Sequence, residues 1–451
     1  MSFNKVLIAN RGEIAVRVIR ACREMGLKTV AVFSEADRNA LHAQIADEAV
    51  CIGPAAPNKS YLNMMAIIAA CDATKAQAVH PGFGFLSESA DFARYCKKCG
   101  LIFVGPSCKS IEMMGDKARA KQTMTNSKVA VIPGSNGIVS DLKKAGRAAE
   151  EIGYPVMLKA SAGGGGRGVR LVNSKKELEN SFTASQTEAL SWFGNGDVYI
   201  EKFIENPRHV EVQVIGDTHG NIVHLGERDC SIQRRNQKLI EEALCPAVDD
   251  SLRAKIGKAA CRAAEGCGYH NAGTIEFLLD KDENFYFMEM NTRIQVEHGI
   301  TELVTGIDLV KQQLAVAMGE KLPFTQEDVK FSGHAIECRI NAENPKQDFR
   351  PSPGVITALH MPGGPGVRID SAVYAGCEIP PYYDSMIAKL MVYAPSRTEA
   401  LKKMQWALAE FIIRGIENNV DFHLNLLKDE DFASANYDIG FLQRKMGDGF
   451  A

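Results

Sequence analysis

Glu289, Asn291, Arg293, Gln295 and Glu297 stand two residues apart along the segment Phe285–Glu297 (FYFMEMNTRIQVE). On a β-strand all five side chains point to one face, and Met288, Met290, Ile294 and Val296 point to the other. The polar face carries two carboxylates, an amide oxygen and a guanidinium, which can hold a hard cation through oxygen and an anion beside it. Alternation alone more often marks an amphipathic strand with a solvated face. The chemistry elsewhere in the chain reverses that preference.

A glycine loop, Lys159-Ala-Ser-Ala-Gly163-Gly164-Gly165-Gly166-Arg167-Gly168, lies between two strand-like runs, PVMLK and VRLV. It reads as a hairpin lid, not as a strand–loop–helix phosphate loop with its trailing Lys-Ser or Lys-Thr. Four successive glycines offer backbone N–H groups with no side chain to obstruct a phosphate. Lys159 adds a point charge. A second hairpin joins TIEFLL (Thr274–Leu279) to FYFMEMN through the turn-rich DKDEN. With Asp280 across from Phe285, Glu276 falls opposite Glu289. Two facing carboxylates destabilise a sheet unless a cation lies between them. With Asn291 they form the kind of oxygen set that Mg²⁺ uses when phosphates complete its shell. Together these features imply nucleotide-dependent phosphoryl transfer.

The elements that position these groups are α/β in class. Lys5–Ala9 and Thr29–Phe33 read as strands, Glu13–Met25 as a helix stopped by Gly26, and Ala78–Pro81 and Leu101–Gly105 as strand-to-turn junctions. This predicts a doubly wound N-terminal unit. Its first turn, Asn10–Glu13, lacks the GxGxxG of a dinucleotide site. Met113–Lys128 suits one helix, the chain is strand-rich from Gly153, Glu227–Lys238 is a polar, basic segment, and a helix spans Asp250–Cys267. The length of 451 residues exceeds a single core. A net charge of −3 gives no footprint for nucleic acid or anionic membrane, and no apolar run approaches the ~18 residues of a membrane span. A strand pattern from the first residues leaves no room for a leader. Twelve cysteines with only a lone Cys96/Cys99 CxxC predict reduced thiols in a cytoplasmic protein.

YPVMLKASAGGGGRG and FMEMNTRI resemble the two signatures of the ATP-grasp superfamily. IANRGEIAVRVIRA, HPGFGFLSE, GDKARAK, EKFIENPRHVEVQV, ERDCSIQRR, TRIQVEH, CRINAE and PPYYDSMIAKL resemble biotin carboxylase over about Val6–Lys445. The resemblance implies an N-terminal domain over 1–114, an ATP-grasp domain over 115–330 with its lid at about 131–203, and a C-terminal α/β domain over 331–451. It implies an ATP-dependent ligase in which bicarbonate becomes carboxyphosphate and the carboxyl group passes to N1′ of biotin. Lys117, Lys159, Gly165 and Gly166 would meet the ATP phosphates, and Glu201, Lys202, Phe203 and Ile204 the adenine. His209 would reach the ribose, with Gln233 and Asn236 nearby. Glu276, Glu289 and Asn291 would hold two Mg²⁺, for which Mn²⁺ can substitute. Arg293, Gln295 and the Val296 backbone would bind bicarbonate beside Lys238. Glu297 would be the general base, and Arg339 would stabilise the biotin enolate.

Three features depart from the family pattern. Asn236 stands where His is common, Gly299 replaces a frequent Pro and loosens the backbone beside Glu297, and Leu244-Cys245 interrupts a segment usually written Ala-Pro-Ser-Pro. With no Met-Lys-Met biotinylation site, the chain is expected to be a stand-alone subunit. Its biotin would arrive on a separate biotin carboxyl carrier protein and be used by carboxyltransferase subunits. Acetyl-CoA carboxylase, and so fatty acid synthesis, is the leading context. A two-subunit pyruvate, propionyl-CoA or 2-oxoglutarate carboxylase is the alternative. A homodimer through Arg17, Arg20 and Glu24 is expected, with Pro365 where an aromatic often contributes.

Overall fold

Short apolar strands and a glycine-stopped helix build the first unit much as their spacing requires. Strands β1 (Lys5–Ile8), β2 (Lys28–Phe33), β3 (Glu48–Cys51), β4 (Ala78–His80) and β5 (Ile102–Phe103) form a parallel sheet in the order β3-β2-β1-β4-β5. The strand order reverses between β1 and β4, and the loops after both strands open toward one crevice there. The helix Gly12–Glu24 buries Ile14, Ala15, Val18 and Ile19, and Gly26 leaves it at φ 72°. β3 escapes sequence reading because it is a largely exposed edge strand with no apolar run. The computed structural model describes residues 2–135, 137–160 and 169–447.

The single helix expected over Met113–Lys128 is two helices, Cys108–Gly115 and Lys117–Asn126. Asp116 separates them with extended backbone, and its carboxylate accepts from the N–H groups of Ala118 and Arg119. A carboxylate at that position competes well with helix continuation. The lid sheet holds β6 (Val156–Ala160), β7 (Val169–Val172) and β8 (Val198–Lys202) in the antiparallel order β7-β6-β8. Lys159 pairs with Val169, so the two arms of the glycine loop do form a hairpin. Gly165 and Gly166 lie outside the described residues. A helix over Lys175–Phe193, which the sequence reading did not anticipate, packs Leu178 and Phe182 on this sheet.

The large sheet contains β9 (Arg208–Gly216), β10 (Ile222–Arg234), β11 (Gln237–Ala243), β12 (Asn271–Leu279), β13 (Phe285–Asn291) and β14 (His334–Asn341), then the strands Met386–Ala394 and Val367–Ser371. Its order is β13-β12-β9-β10-β11-β14 followed by those two. β11 pairs with β14, so residues before and after position 331 share one sheet. The polar, basic segment Glu227–Lys238 is therefore part of this sheet. It is the end of β10, a tight turn at Arg235 and Asn236 (φ 49° and 65°), and the start of β11. Every residue from Val223 to Ile232 on β10 is buried apart from solvent. The charges there look like surface in sequence because their partners are distant in the chain.

Glu242 on β11 shows how such a charge is kept. It accepts from His334 Nε2 (2.7 Å), Arg397 Nε (2.7 Å) and Nη2 (2.9 Å), and Tyr437 Oη (2.8 Å). Burial raises its pKa, but the His334 and Arg397 hydrogen bonds outweigh burial and bring it down to about 2. The folded value lies below the unfolded one, so this stabilisation is full above the ordinary carboxylate range and is lost as pH falls toward 2. Glu242→Gln should lower stability at pH 7 by about 3 kcal/mol. In urea unfolding the gap from wild type should narrow from pH 4.5 downward; an equal gap at pH 7 and pH 3 would contradict this account.

Candidate active site

The opposed carboxylates are where the register places them, by a route the sequence did not suggest. Glu276 is the direct partner of Glu289, yet near the turn Leu279, not Asp280, faces Phe285. A β-bulge between the Glu276 and Phe277 pairs takes up the one-residue difference, with Met288 as the extra residue. Phe277 and Phe287 can then both fill the core beneath the sheet while Glu276 still meets Glu289. Met288 consequently lines the same cavity as Glu289 instead of facing away. Strand β13 also stops at Asn291, so the two-residue alternation does not extend to Glu297. Arg293, Gln295 and Val296 reach the cavity from a turn.

Around Glu276 and Glu297 the side chains form one buried network. Lys238 Nζ lies 2.6 Å from Glu211, 3.1 Å from Glu276 and 2.7 Å from Glu297. Arg339 bridges Glu297 (2.9 Å) and Glu241 (2.6 Å). Arg228, fully buried, pairs with Glu211 at 2.5 Å and donates to Gln213, Thr274 and Thr301. His209 Nε2 sits 3.0 Å from Glu276. Glu276 Oε1 further accepts from Asn291 (2.8 Å) and Gln295 (3.0 Å). Burial pushes the Glu297 pKa up, but Lys238, Arg339 and Arg228 outweigh it and hold the carboxylate ionised, well below its usual range. Glu211 and Glu241 were missed in the sequence. Glu211 had one legible signal, its place two residues from His209 on the same face of β9.

A cavity of about 1040 Å³ runs over this network between the three regions of the chain. Of the expected site residues, Lys117, Lys159, His209, Gln233, Asn236, Lys238, Glu276, Glu289, Asn291, Arg293, Gln295, Val296 and Arg339 line it. Glu297 lies just beneath, reached through Lys238 and Arg339. Glu201, Lys202, Phe203 and Ile204 are not among the lining side chains. Glu201 is instead turned to Lys159 (2.5 Å) and Lys121. Burial and the Lys117 charge pull the Lys159 pKa down to about 8. The segments Asn10–Ile14, which runs into the helix Gly12–Glu24, and Phe83–Phe85 also line the cavity.

Arg293 is held by four groups. It donates to Glu88 (2.9 Å), Gln295 Oε1 (2.6 Å), Asn291 Oδ1 (2.9 Å) and the Ile294 carbonyl (3.3 Å). Glu88 also accepts from the Thr292 N–H, and sequence reasoning overlooked it because it lies far away in the chain. Asn236 occupies a left-handed turn position that Asn tolerates better than most residues. Close packing accounts for glycine at position 299. Gly299 is buried in the helix His298–Thr305, and a Cβ there would meet Met391 Sδ at 2.3 Å. Cys245 is buried with its Sγ 3.2 Å from Asp229. Arg17 is not presented on a free face of the first helix, because it is buried against Glu302 (3.0 Å) and Asp308 (2.6 Å); Arg20 is exposed. All twelve cysteines are free, Cys96 buried and Cys99 exposed. No helix among the described residues is long and apolar enough to cross a membrane.

The donor set suits a hard divalent cation. Glu276 and Glu289 bring facing carboxylates to the cavity, and Glu289 is pushed up by burial and by the Glu276 charge opposite. Two such oxygens with phosphate oxygens from a nucleotide match the preference of Mg²⁺. The third expected ligand, Asn291, directs its Oδ1 to Arg293 and its NH₂ to Glu276. Among the described residues, two groups of metal-type donors lie within 4.8 Å, His209 with Glu211 and Glu276, and Glu211 with Cys230 and Glu297, and Lys238 engages the carboxylates of both.

Family models match in three consecutive stretches: "Biotin carboxylase, N-terminal domain" over residues 2–111, "Carbamoyl-phosphate synthase L chain, ATP binding domain" over 116–325 and "Biotin carboxylase C-terminal domain" over 337–444. A biotin carboxylase of Nostoc sp. is 57% identical over 98% of this chain and 99% of its own. A biotin carboxylase from Campylobacter jejuni, solved as a β,γ-ATP complex, is 50% identical, with TM-score 0.93 over 98% of this chain and 99% of that one. The biotin carboxylase domain dimer of a Hydrogenobacter thermophilus 2-oxoglutarate carboxylase, in complex with MgADP, ADP and bicarbonate, is also 50% identical. Its TM-score is 0.92 over 99% and 98% of the two chains.

Removing one carboxylate from the facing pair separates metal from nucleotide. Glu289→Gln should weaken Mg-ATP binding about tenfold while leaving ATP binding in chelator within about twofold. Calorimetric titration with and without Mg²⁺ reads both, and an equal loss in the two would take the cation away from this pair.

Proposed function

The chain belongs to the biotin carboxylase family, ATP-dependent ligases, and on that premise we propose that it carboxylates N1′ of biotin carried by a separate carrier protein, using bicarbonate and ATP. What carries the reading is one juxtaposition. The carboxylate of Glu297, gripped by Lys238 and Arg339, lies under the same cavity that Lys159, Glu276 and Glu289 line.

Bicarbonate is a poor nucleophile, and each wall of the cavity answers part of that difficulty. Arg293, Gln295 and the Val296 backbone hold the anion beside Lys238, orienting an oxygen toward the γ-phosphoryl group. Lys117 and Lys159 bind the phosphates. Glu276 and Glu289 would hold Mg²⁺, which would supply positive charge against the charge growing on the phosphoryl oxygens. Glu297 accepts the bicarbonate proton. Its carboxylate is ionised before the reaction and weakly basic, so transfer becomes favourable only as attack on phosphorus makes that proton acidic. The products are ADP and carboxyphosphate; breaking the carboxyphosphate C–O bond passes the carboxyl group to N1′ of biotin, and inorganic phosphate leaves with the N1′ proton. Arg339, already charged and held by Glu241, is placed to stabilise the biotin enolate.

Acetyl-CoA carboxylase, with carboxyltransferase subunits completing fatty acid precursor synthesis, is the first context for this activity. A 2-oxo acid carboxylase is the second, favoured by the 50% identity to the Hydrogenobacter domain. That relative's dimer also supports pairing of two copies here, with exposed Arg20 on the pairing face. The test is ADP release with Mg²⁺, bicarbonate and free biotin. Wild type should depend on both bicarbonate and biotin, and Glu297→Ala should be slower by about 10²- to 10⁴-fold. Equal, biotin-independent ATP hydrolysis by the two proteins would overturn the mechanism.

A further inference from the structure

The turn that follows β13 carries two peptide groups whose carbonyls are both held from behind. Gln295 O lies 2.8 Å from His298 Nδ1, and Val296 O accepts from Lys389 Nζ at 2.6 Å. A trans peptide is planar, with its C=O and N–H pointing in opposite directions. Holding Gln295 O on the protein side therefore sends the Val296 N–H the other way, and Val296 lines the cavity. Holding Val296 O does the same for the N–H of Glu297.

We propose that His298 and Lys389 are positioning residues for this turn, pinning the two carbonyls so that the Val296 and Glu297 N–H groups face a small trigonal oxyanion in the cavity. The inference rests on the carboxylation reading, in which that anion is bicarbonate.

The two residues are built for such a task. Both are fully buried. A nitrogen facing a carbonyl must carry the proton, so His298 donates from Nδ1. Burial and the Lys389, Arg17 and Arg368 charges keep the ring neutral, and its Nε2 has no hydrogen-bond partner. Lys389 lies directly across the sheet from Arg339. The two cations thus hold adjacent points of the turn, Lys389 the Val296 carbonyl and Arg339 the Glu297 carboxylate. Lys389 is itself fixed by Glu13 at 3.1 Å and Asp370 at 3.8 Å. Glu13 comes from the helix Gly12–Glu24 and Asp370 from the strand Val367–Ser371. One ammonium therefore ties the anion-binding turn to elements from both ends of the chain.

Steady-state ADP release by full-length His298→Leu, His298→Asn and Lys389→Met tests this, varying bicarbonate and ATP separately and recording thermal unfolding midpoints. His298→Leu and Lys389→Met should raise the KM for bicarbonate about five- to tenfold and leave that for ATP within about twofold, the effect of one misaligned hydrogen-bond donor. His298→Asn, whose amide NH₂ can replace the Nδ1–H donor, should recover most of the loss. Folded variants with a wild-type bicarbonate KM, parallel loss toward both substrates, or no advantage of Asn over Leu would overturn the inference. Should Lys389→Met fail to fold, the His298 pair alone decides. A wild type without bicarbonate-dependent turnover sinks the carboxylation reading itself, whereas an active wild type with indifferent variants sinks only this inference.

Discussion

The structure depends on keeping the Lys238 ammonium charged at the cavity wall, where most of its side chain is buried. Three carboxylates from three different elements, Glu211 on β9, Glu276 on β12 and Glu297 at the start of a helix, converge on that one nitrogen. Any of them left alone would face the full cost of a buried charge, and together they would repel one another without the cation. Arg228 and Arg339 extend the balance to Glu211, Glu241 and Glu297. The positions of these side chains are therefore set by mutual neutralisation more than by local backbone preference.

That requirement explains the sheet beneath. Strands β9 to β12 carry charged residues on a face that would ordinarily be apolar, so their stability rests on hydrophobic packing of the other face. Val210, Val212, Ile275 and Phe277 supply that packing against the helix Asp250–Gly266. The bulge at Met288 belongs to the same compromise. It keeps Phe287 in the core while leaving Glu289 at the cavity opposite Glu276. A cavity lined by this balanced network can receive anionic reactants without recruiting new charge, because donors such as Lys159 and Arg293 are already oriented by acidic partners, Glu201 and Glu88.

Much of this was legible in the chain. The parallel N-terminal sheet, the glycine hairpin and the opposed glutamates follow from apolar spacing, turn chemistry and period-two alternation, and most of the expected site residues line one cavity. Other features were not legible, for particular reasons. Glu227–Lys238 read only as a polar, basic segment, because a buried ion network and a solvated one have the same composition. Met113–Lys128 read as one helix because helical spacing continues past Asp116, although its carboxylate prefers to cap. Glu88, Glu241 and Lys389 carried no local signal, since their partners are 205, 98 and 93 residues away.

The alternating segment Phe285–Glu297 divides at Asn291 between these two kinds of knowledge. By itself the sequence determined the chemistry available there, two carboxylates, an amide pair and a guanidinium on a hairpin next to a phosphate-type loop. It also determined the strand that carries the first half, since alternation is a local property of the backbone. Only the tertiary structure decided that the second half leaves the strand and turns across the cavity. The reason is physical: Arg293, Gln295, Val296 and Glu297 take their direction from Glu88, His298, Lys389, Lys238 and Arg339, and of these only His298 is close in sequence. Contacts between distant segments form only when the three regions of the chain pack together.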